Sequence, residues 1–309
     1  SSPRPWLLLI LTCSLLLLGC RQFVRRPVAS VAAFPKQVGD TLSDSISPSN
    51  HRDWKPGMAT LAHARIEDDQ VHVQNIRNTL YLTEDDYIVR YYDRTIPIDD
   101  VQTVDFIVVP FGLAPRLAHT MLSFGFRDGR YLAVSVEVRL EEYEVYSIAG
   151  GMMRQFDIMY IVADERDVIK LRTEFRGADV FVYRSRATPE MVRELFVDVL
   201  KRANTLKKRP EFYDTWMNNC TTNIVAHINR VQPGTIPWDP TAMFNGYSDR
   251  TAYSLGLLVD YGSFEETQRR AHINDLAHRF AGDPHFSQRI RGQDGATRIV
   301  RGEQEAERF

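Results

Sequence analysis

The chain has 309 residues, of which 44% are hydrophobic and 25% are charged, a composition typical of a globular protein rather than a disordered or fibrous one. This length allows one large domain or two small ones. The formal net charge is -2 at pH 7, and no basic stretch alternates with aromatic residues, so nucleic acid is not an expected partner.

The first twenty residues have the character of a signal peptide. Arg4 precedes an apolar run, Trp6 to Leu18, which is shorter than the roughly 18 or more apolar residues of a membrane span. The run ends in Leu17-Leu18-Gly19-Cys20, which resembles the bacterial lipobox, where the cysteine is diacylated and becomes the first residue of the mature protein. We therefore expect lipidation at Cys20, with a retained signal anchor as the alternative.

A lipid anchor at Cys20 would make the membrane a partner of the protein and would determine its location. Two acyl chains hold a protein stably at a membrane, because each buried CH₂ contributes roughly 0.8 kcal/mol. The residue after Cys20 is Arg21, not the aspartate that would signal retention in the inner membrane. The sequence thus predicts an exported envelope protein on the periplasmic face of a membrane, and at the outer membrane where the bacterium has one.

Three segments follow the signal peptide. Residues 21–50 are rich in Pro, Ser and Ala and are expected to be a linker, residues 51–280 to form one domain, and residues 281–309 to form a charged, poorly ordered tail. An α+β fold is expected, with an antiparallel sheet packed against helices. Strand patterns occur at Val71–Arg77, Tyr87–Tyr92, Val101–Val109, Ala118–Phe126, Tyr131–Arg139, Phe156–Val162 and Val180–Tyr183.

Helix signals follow the last of these strands. Thr188 as N-cap and Pro189 at the first helical position begin one helix, whose apolar residues recur at a spacing of 3.6 and which ends before Pro210. A second helix is predicted to begin near Cys220, and a third near Ser263.

Cys220 is the candidate nucleophile. If Cys13 is removed with the signal peptide and Cys20 carries lipid, Cys220 is the remaining free thiol. Asn219 is a good N-cap, so Cys220 would lie in the first helical turn, where unpaired N–H groups and the helix dipole favour a thiolate and can hold an oxyanion. The alternative is a cysteine that only packs in the core.

His119 is the candidate base among eight histidines. His227 lies two helical turns beyond the cysteine, which is too far for it to accept the thiol proton. His272 and His278 are six residues apart and do not share a helix face, and the sequence has no HExxH or CxxC pattern. We expect no metal site and no cofactor.

The choice of His119 rests on a predicted hairpin. Two strand patterns flank Arg127-Asp128-Gly129, and a three-residue loop with Gly129 in the left-handed conformation keeps each face of the hairpin uniform. That register places His119 opposite Glu137, which could orient the imidazole and stabilise it when charged, with Ser135 as the alternative orienting residue. A His–Glu pair on a solvated sheet face is the non-catalytic interpretation.

Eight short motifs follow one another in a fixed order along the chain. They are Trp54-Lys55-Pro56, Asn75-Ile76-Arg77-Asn78, His119-Thr120-Met121-Leu122-Ser123-Phe124, Ser135-Val136-Glu137-Val138-Arg139, Asp164-Glu165-Arg166-Asp167-Val168, Leu171-Arg172-Thr173, Pro210-Glu211-Phe212-Tyr213 and Asn218-Asn219-Cys220-Thr221-Thr222-Asn223. Over about residues 50 to 240 these motifs resemble one known family, the Lnb N-terminal periplasmic domain family. The resemblance implies a circularly permuted papain-type fold, similar to NlpC-type peptidases and lecithin:retinol acyltransferases, in which the His strand precedes the Cys helix.

The same resemblance implies an acyl-transfer activity. Named members of the family transfer an acyl chain within a bacterial lipoprotein and carry a multi-helix membrane domain after this one. No segment after Cys220 has the pattern of a membrane span, so the fold and the Cys–His pair are carried over more readily than the lipoprotein substrate.

The predicted function is acyl transfer or acyl-ester or amide hydrolysis through a thioester on Cys220. His119 would be the base and Glu137 its orienting partner, with Asn219, Thr221 and Ser135 in supporting positions. The sequence does not identify the substrate, and a lipid or a lipoprotein is the candidate that the resemblance offers. A peptidase or amidase acting on cell-wall peptides and a non-catalytic binding lipoprotein are the alternatives. The aromatic residues before the nucleophile could line an acyl slot or belong to the core; they are Phe212, Tyr213 and Trp216.

Overall fold

The computed structural model describes residues 47–112, 114–145, 150–151, 154–237 and 245–292. The predicted signal peptide with its lipobox Cys20, nearly all of the predicted linker, and residues 293–309 of the predicted tail lie outside the described residues.

Strands dominate the first part of the described chain and helices the second. The strands are β1 (His63–Ile66), β2 (Gln70–Arg77), β3 (Leu80–Tyr81), β4 (Tyr87–Ile88), β5 (Tyr91–Pro97), β6 (Val101–Phe111), β7 (Ala114–Phe126), β8 (Tyr131–Arg139), β9 (Asp157–Asp164) and β10 (Phe181–Arg184). The α-helices are α1 (Pro56–Ala59), α2 (Glu165–Lys170), α3 (Pro189–Lys208), α4 (Cys220–Val231), α5 (Ser248–Ser254), α6 (Phe264–Ala271), α7 (Asn274–Arg279) and α8 (Phe286–Arg289).

The main sheet has eight strands and is mostly antiparallel. Its order is β1-β2-β9-β8-β7-β6-β10, with β5 also paired to β2, and the β2–β9 contact is its parallel pairing. Helices pack on this sheet, so the predicted α+β class is confirmed.

The predicted hairpin between β7 and β8 has the expected register. Leu122 pairs with Val134 and Phe124 with Leu132, which keeps both faces uniform. Gly129 has a φ of 78°, the left-handed conformation that the three-residue loop requires. The alternation of apolar residues along the two strands therefore predicted both the length of the loop and the alignment of the strands.

Two long helices cover one face of the sheet, and both begin as predicted. The Thr188 side chain accepts a hydrogen bond from the Met191 N–H at the start of α3, and Pro189 occupies the first position. A periodic apolar stripe on α3 packs against the sheet, with Val192 and Phe196 fully buried in the core that also contains Phe124. Among the described residues, no helix has the length and apolar character needed to cross a membrane.

Other boundaries differ from the sequence prediction. The single strand expected over Tyr87–Tyr92 is two short strands, β4 and the start of β5. A helical segment also follows β9 directly, with Asp164 as the N-cap of α2 and a π-helical turn over Leu171–Phe175. That segment is too short for a helical apolar period to stand out from the adjoining strand pattern.

Residues 281–292, which the sequence assigned to a poorly ordered tail, pack as part of the folded domain. Phe286 and Ile290 are each 1% exposed and pack in a core cluster on the second face of the sheet. Arg291 reaches the sheet and the helix that follows β9, since its Nε donates to Asp105 on β6 at 2.7 Å and its Nη1 donates to Glu165 on α2 at 2.8 Å. The charged composition of this segment therefore reflects a buried ion-pair cluster rather than solvation.

Replacing Arg291 with Met is expected to lower the free energy of unfolding by about 3–5 kcal/mol, because Glu165 is left buried without its cation. Asp105 keeps a 2.8 Å ion pair with Arg184. Urea unfolding measures the change. Arg279 is exposed on α7, and its change to Met should alter stability by less than about 0.5 kcal/mol. Equal stability of the two variants would show that the segment does not hold the fold together.

Candidate functional site

The candidate site lies where two central strands separate. The recorded ladder between β7 and β8 ends at the pair formed by Met121 and Ser135. Beyond it, β7 stays paired with β6 and β8 stays paired with β9. His119 and Glu137 lie beyond the end of this ladder, and both line a cavity. The predicted register therefore brings these two residues together, but the backbone pairing stops before it reaches them.

The nucleophile candidate is the first residue of α4. Asn219 is the N-cap, and its side chain accepts a hydrogen bond from the Thr222 N–H at 2.8 Å while the Thr222 hydroxyl accepts one from the Asn219 N–H at 2.9 Å. This capping box satisfies two backbone donors and fixes the start of the helix. Cys220 thus lies in the first turn, as the sequence predicts, with its side chain 3% exposed.

A carboxylate and a hydroxyl hold the imidazole of His119. Its Nε2 is 2.7 Å from the Ser135 hydroxyl and 3.2 Å from Oε1 of Glu137. Ser135 in turn donates to the same Glu137 oxygen at 2.6 Å, so its lone pairs face His119. Because Nε2 is engaged on this side, Nδ1 is the nitrogen available to the thiol. The two orienting residues that the sequence offered as alternatives act on the imidazole together.

Glu137 has a buried cation behind it. Arg172 Nη2 donates to Oε1 of Glu137 at 2.9 Å, and the Arg172 side chain is 5% exposed. Although burial opposes ionisation, His119 and Arg172 lower the pKa of Glu137 well below its ordinary range. Glu137 therefore remains a carboxylate at neutral pH.

His119 and Cys220 shift each other's pKa in opposite directions. Burial alone would lower the pKa of His119, but Glu137 and a hydrogen bond with Cys220 raise it to about 9. Burial alone would raise the pKa of Cys220, but the hydrogen bond and the charge of His119, helped by Thr120, lower it to about 7. Between these two values the pair favours a thiolate beside an imidazolium, the form that attacks a carbonyl carbon.

Threonine hydroxyls flank the sulfur. The Thr120 and Thr221 hydroxyl oxygens are 3.0 Å apart and join β7 to the first turn of α4, and Thr221 Oγ1 is 3.9 Å from Cys220 Sγ. Thr221, which was predicted as a supporting residue, therefore contacts the site. Thr120 was not predicted, because it lies on the face of β7 whose apolar residues indicate a position in the core.

The thiol is reached through a cavity of about 450 Å³, here called the thiol cavity. His119, Glu137 and Cys220 line it together with Tyr213 and Arg172. Of the three aromatic residues considered for an acyl slot, Tyr213 lines this cavity, whereas Phe212 and the 44% exposed Trp216 do not.

A second and larger cavity of about 840 Å³ runs along α4, here called the apolar groove. One face of α4 lines it, together with residues of α3, of the central strands β6 and β7 and of the chain around α5. Asn245 lines both the thiol cavity and the apolar groove and so lies between them. The apolar lining of the groove includes Leu122, Ile224, Val225, Ile228, Leu255 and Leu257.

Two of the residues at this site, Asn245 and Arg172, were not predicted from the sequence. Asn245 begins a 3₁₀ turn 25 residues after the nucleophile, and no local pattern connects the two. Arg172 belongs to one of the motifs that carried the family resemblance, which was a usable signal, but its contact with Glu137 crosses from the π-helical turn to β8.

The other histidines do not contact the thiol site. His227, set aside for its distance from the thiol, is buried on α4 and contacts the Tyr160 hydroxyl at 2.8 Å and Asp198 at 2.6 Å. His272 contacts Asp179 at 2.8 Å. Within the described ranges, no group of three or more His, Cys, Asp or Glu residues could hold a metal ion.

Comparison with known proteins gives one family. A family model described as the Lnb N-terminal periplasmic domain matches residues 87–246, which is more than half of the chain and includes His119, Glu137 and Cys220. No curated protein and no solved structure matches the chain.

Proposed function

Because the chain belongs to the Lnb N-terminal periplasmic domain family, whose name supports an exported, periplasmic location, we propose that it is a cysteine-dependent acyltransferase or acyl hydrolase of the bacterial envelope. The observation that carries the proposal is the coupled Cys220–His119 pair, with Glu137 behind it, facing an open cavity. A structural buried cysteine needs neither a charged imidazole partner nor access from solvent.

The proposed reaction has two halves. His119 takes the thiol proton, and the thiolate of Cys220 attacks the carbonyl carbon of an ester or amide. Backbone N–H groups at the start of α4 stabilise the oxyanion of the tetrahedral intermediate. When the intermediate collapses, His119 gives its proton to the departing alcohol or amine, and a thioester remains on Cys220. An acceptor alcohol, amine or water then attacks the thioester while His119 takes the acceptor's proton, the bond between the carbonyl carbon and Sγ breaks, and the thiolate–imidazolium pair is restored.

The apolar groove favours a fatty-acyl substrate over a peptide. Its volume and mostly apolar lining suit an extended hydrocarbon chain, and Asn245, beside the nucleophile, lines both the groove and the thiol cavity. A cell-wall peptide carries polar backbone groups, for which a mostly apolar lining offers few hydrogen-bond partners, whereas a hydrocarbon chain needs none. The peptidase alternative therefore has less support.

The architecture and the anchor belong to the same proposal. The His-bearing β7 precedes the Cys-bearing α4 in the chain, the order that a permuted papain-type, NlpC-like domain requires. We assign the lipobox Cys20 to a lipid anchor that keeps the domain at the membrane, at the outer membrane where one exists. A lipid or lipoprotein substrate would then be presented from the same surface.

Intact-mass spectrometry after acid quench tests the proposed function. The full chain is incubated with p-nitrophenyl palmitate and, in parallel, with a p-nitrophenyl ester of an N-blocked peptide. We expect a palmitoyl adduct that hydroxylamine removes and that Cys220→Ala lacks. A peptidyl adduct alone would favour the peptidase, and the absence of any adduct would favour a binding protein.

Filling the apolar groove should change chain-length selectivity. Val225 lines the groove, whereas the next residue, Ala226, faces another side of α4, so Val225→Trp and Ala226→Trp form a matched pair. We expect Val225→Trp to lower the preference for palmitate over butyrate esters about ten-fold or more, since each displaced CH₂ loses about 0.8 kcal/mol of burial. Ala226→Trp should keep the wild-type preference. Unchanged selectivity in both variants would show that the groove does not bind the acyl chain.

A further inference from the structure

We infer that the side-chain amide of Asn245 is an oxyanion donor for the proposed reaction at Cys220, supplementing the backbone N–H groups of α4. This inference rests on the proposed function, because an oxyanion forms only if the thiolate attacks a carbonyl group. Asn245, which follows Cys220 by 25 residues, would then be one of the residues that contact the reacting atoms.

The orientation of the Asn245 amide is fixed by the strand beneath it. Its Oδ1 accepts a hydrogen bond from the Ala118 N–H at 2.7 Å, next to His119 on β7. Since Oδ1 is held by a backbone donor, Nδ2 must point the other way, and it lies 3.6 Å from Cys220 Sγ. The side chain is 9% exposed, so packing restricts it further.

The position of Nδ2 suits an oxyanion as well as the sulfur. In the resting site Nδ2 lies 3.6 Å from Cys220 Sγ, close enough to donate to the thiolate. In a tetrahedral intermediate the oxyanion is two bonds from the sulfur and within reach of a donor at this distance. A hydrogen bond to a full negative charge is roughly twice as strong as one to a neutral acceptor.

Asn245 also stands where a fatty-acyl carbonyl would have to lie. It lines both the thiol cavity and the apolar groove. An acyl chain in the groove with its carbonyl carbon at Sγ would therefore pass Asn245 at the carbonyl end. The amide would contact the reacting oxygen rather than the hydrocarbon.

Two reactions of the same sulfur test the role. Alkylation by iodoacetamide needs the thiolate but forms no oxyanion. Acylation by a p-nitrophenyl ester needs the thiolate and also passes through an oxyanion that must be stabilised. In Asn245→Ala we expect the acylation rate to fall about 100- to 1000-fold. The alkylation rate, measured at pH 8.5 where the thiolate predominates, should change less than about three-fold. Asn78→Ala, at an exposed position outside both cavities, should leave the two rates unchanged.

Asn245→Asp is a second variant, because its carboxylate can still accept from the Ala118 N–H but cannot donate to an oxyanion. We expect acylation to fall at least as far as in Asn245→Ala, and thermal unfolding near the wild-type temperature to show an intact fold. Equal losses of alkylation and acylation in Asn245→Ala, or no loss of acylation, would overturn the oxyanion role alone. If the wild-type chain forms no acyl adduct, the proposed function fails and this role fails with it.

Discussion

Replacing His119 with Ala should lower the rate of acyl-enzyme formation on Cys220 by about 10³- to 10⁴-fold at pH 7. Two losses combine. The thiol loses its proton acceptor, and the charge that brings its pKa from 9.0 to about 7 disappears. The thiolate population at pH 7 would then fall from about half to about one per cent, and burial would reduce it further.

Stopped-flow release of p-nitrophenol measures this effect. His51→Ala, which changes an exposed histidine, should react at the wild-type rate. Added imidazole should restore part of the lost activity of His119→Ala, since the substitution leaves room in the thiol cavity. Retention of more than a tenth of the wild-type rate by His119→Ala would remove this residue from the role of base.

Replacing Glu137 with Gln should lower the same rate by about 10²- to 10⁴-fold, because the imidazole loses the charge that stabilises it, and the Gln amide can donate a hydrogen bond where the carboxylate only accepts. Glu137 raises the pKa of His119 toward about 9 against the opposing effect of burial. Without it the pKa of His119 falls and the pKa of Cys220 rises. The pH range between the two values, in which thiolate and imidazolium coexist, narrows from both sides.

The pH dependence of acylation is the measurement for Glu137→Gln. Wild-type activity should be highest between about pH 7 and 9. The variant should lack this plateau and be less stable, since Arg172 is left buried without its carboxylate. Rates are therefore compared at a temperature where thermal unfolding shows a folded variant. Glu194→Gln, at an exposed position on α3, is the matched control, and a wild-type profile in Glu137→Gln would contradict the assigned role.

Features with a local chemical cause were predictable from the sequence. The parity of apolar residues and the position of Gly129 fix the hairpin register, and thereby the neighbourhood of His119 and Glu137. Capping chemistry fixes the start of α4 at Asn219, and thereby the place of Cys220 in the first helical turn. These parts of the candidate site follow from short stretches of sequence.

Features that depend on distant contacts were not predictable. The sequence does not show that the β7–β8 ladder stops at Met121, before it reaches the two residues, His119 and Glu137, that line the thiol cavity. Asn245 meets Cys220 across a 25-residue separation, and Arg291 meets Asp105 across 186 residues. Such contacts are set by the packing of the whole domain, and a charged C-terminal segment has the same composition whether it is solvated or folded.

The alkylation rate of Cys220 as a function of pH tests the central claim most directly. The full chain is labelled with iodoacetamide between pH 5 and 10, and the modified cysteine is identified by peptide mass. We predict a rate that is half-maximal near pH 7 in the wild type and near or above pH 9 in His119→Ala. A wild-type thiol that titrates like an ordinary cysteine, or that iodoacetamide does not reach, would contradict the account.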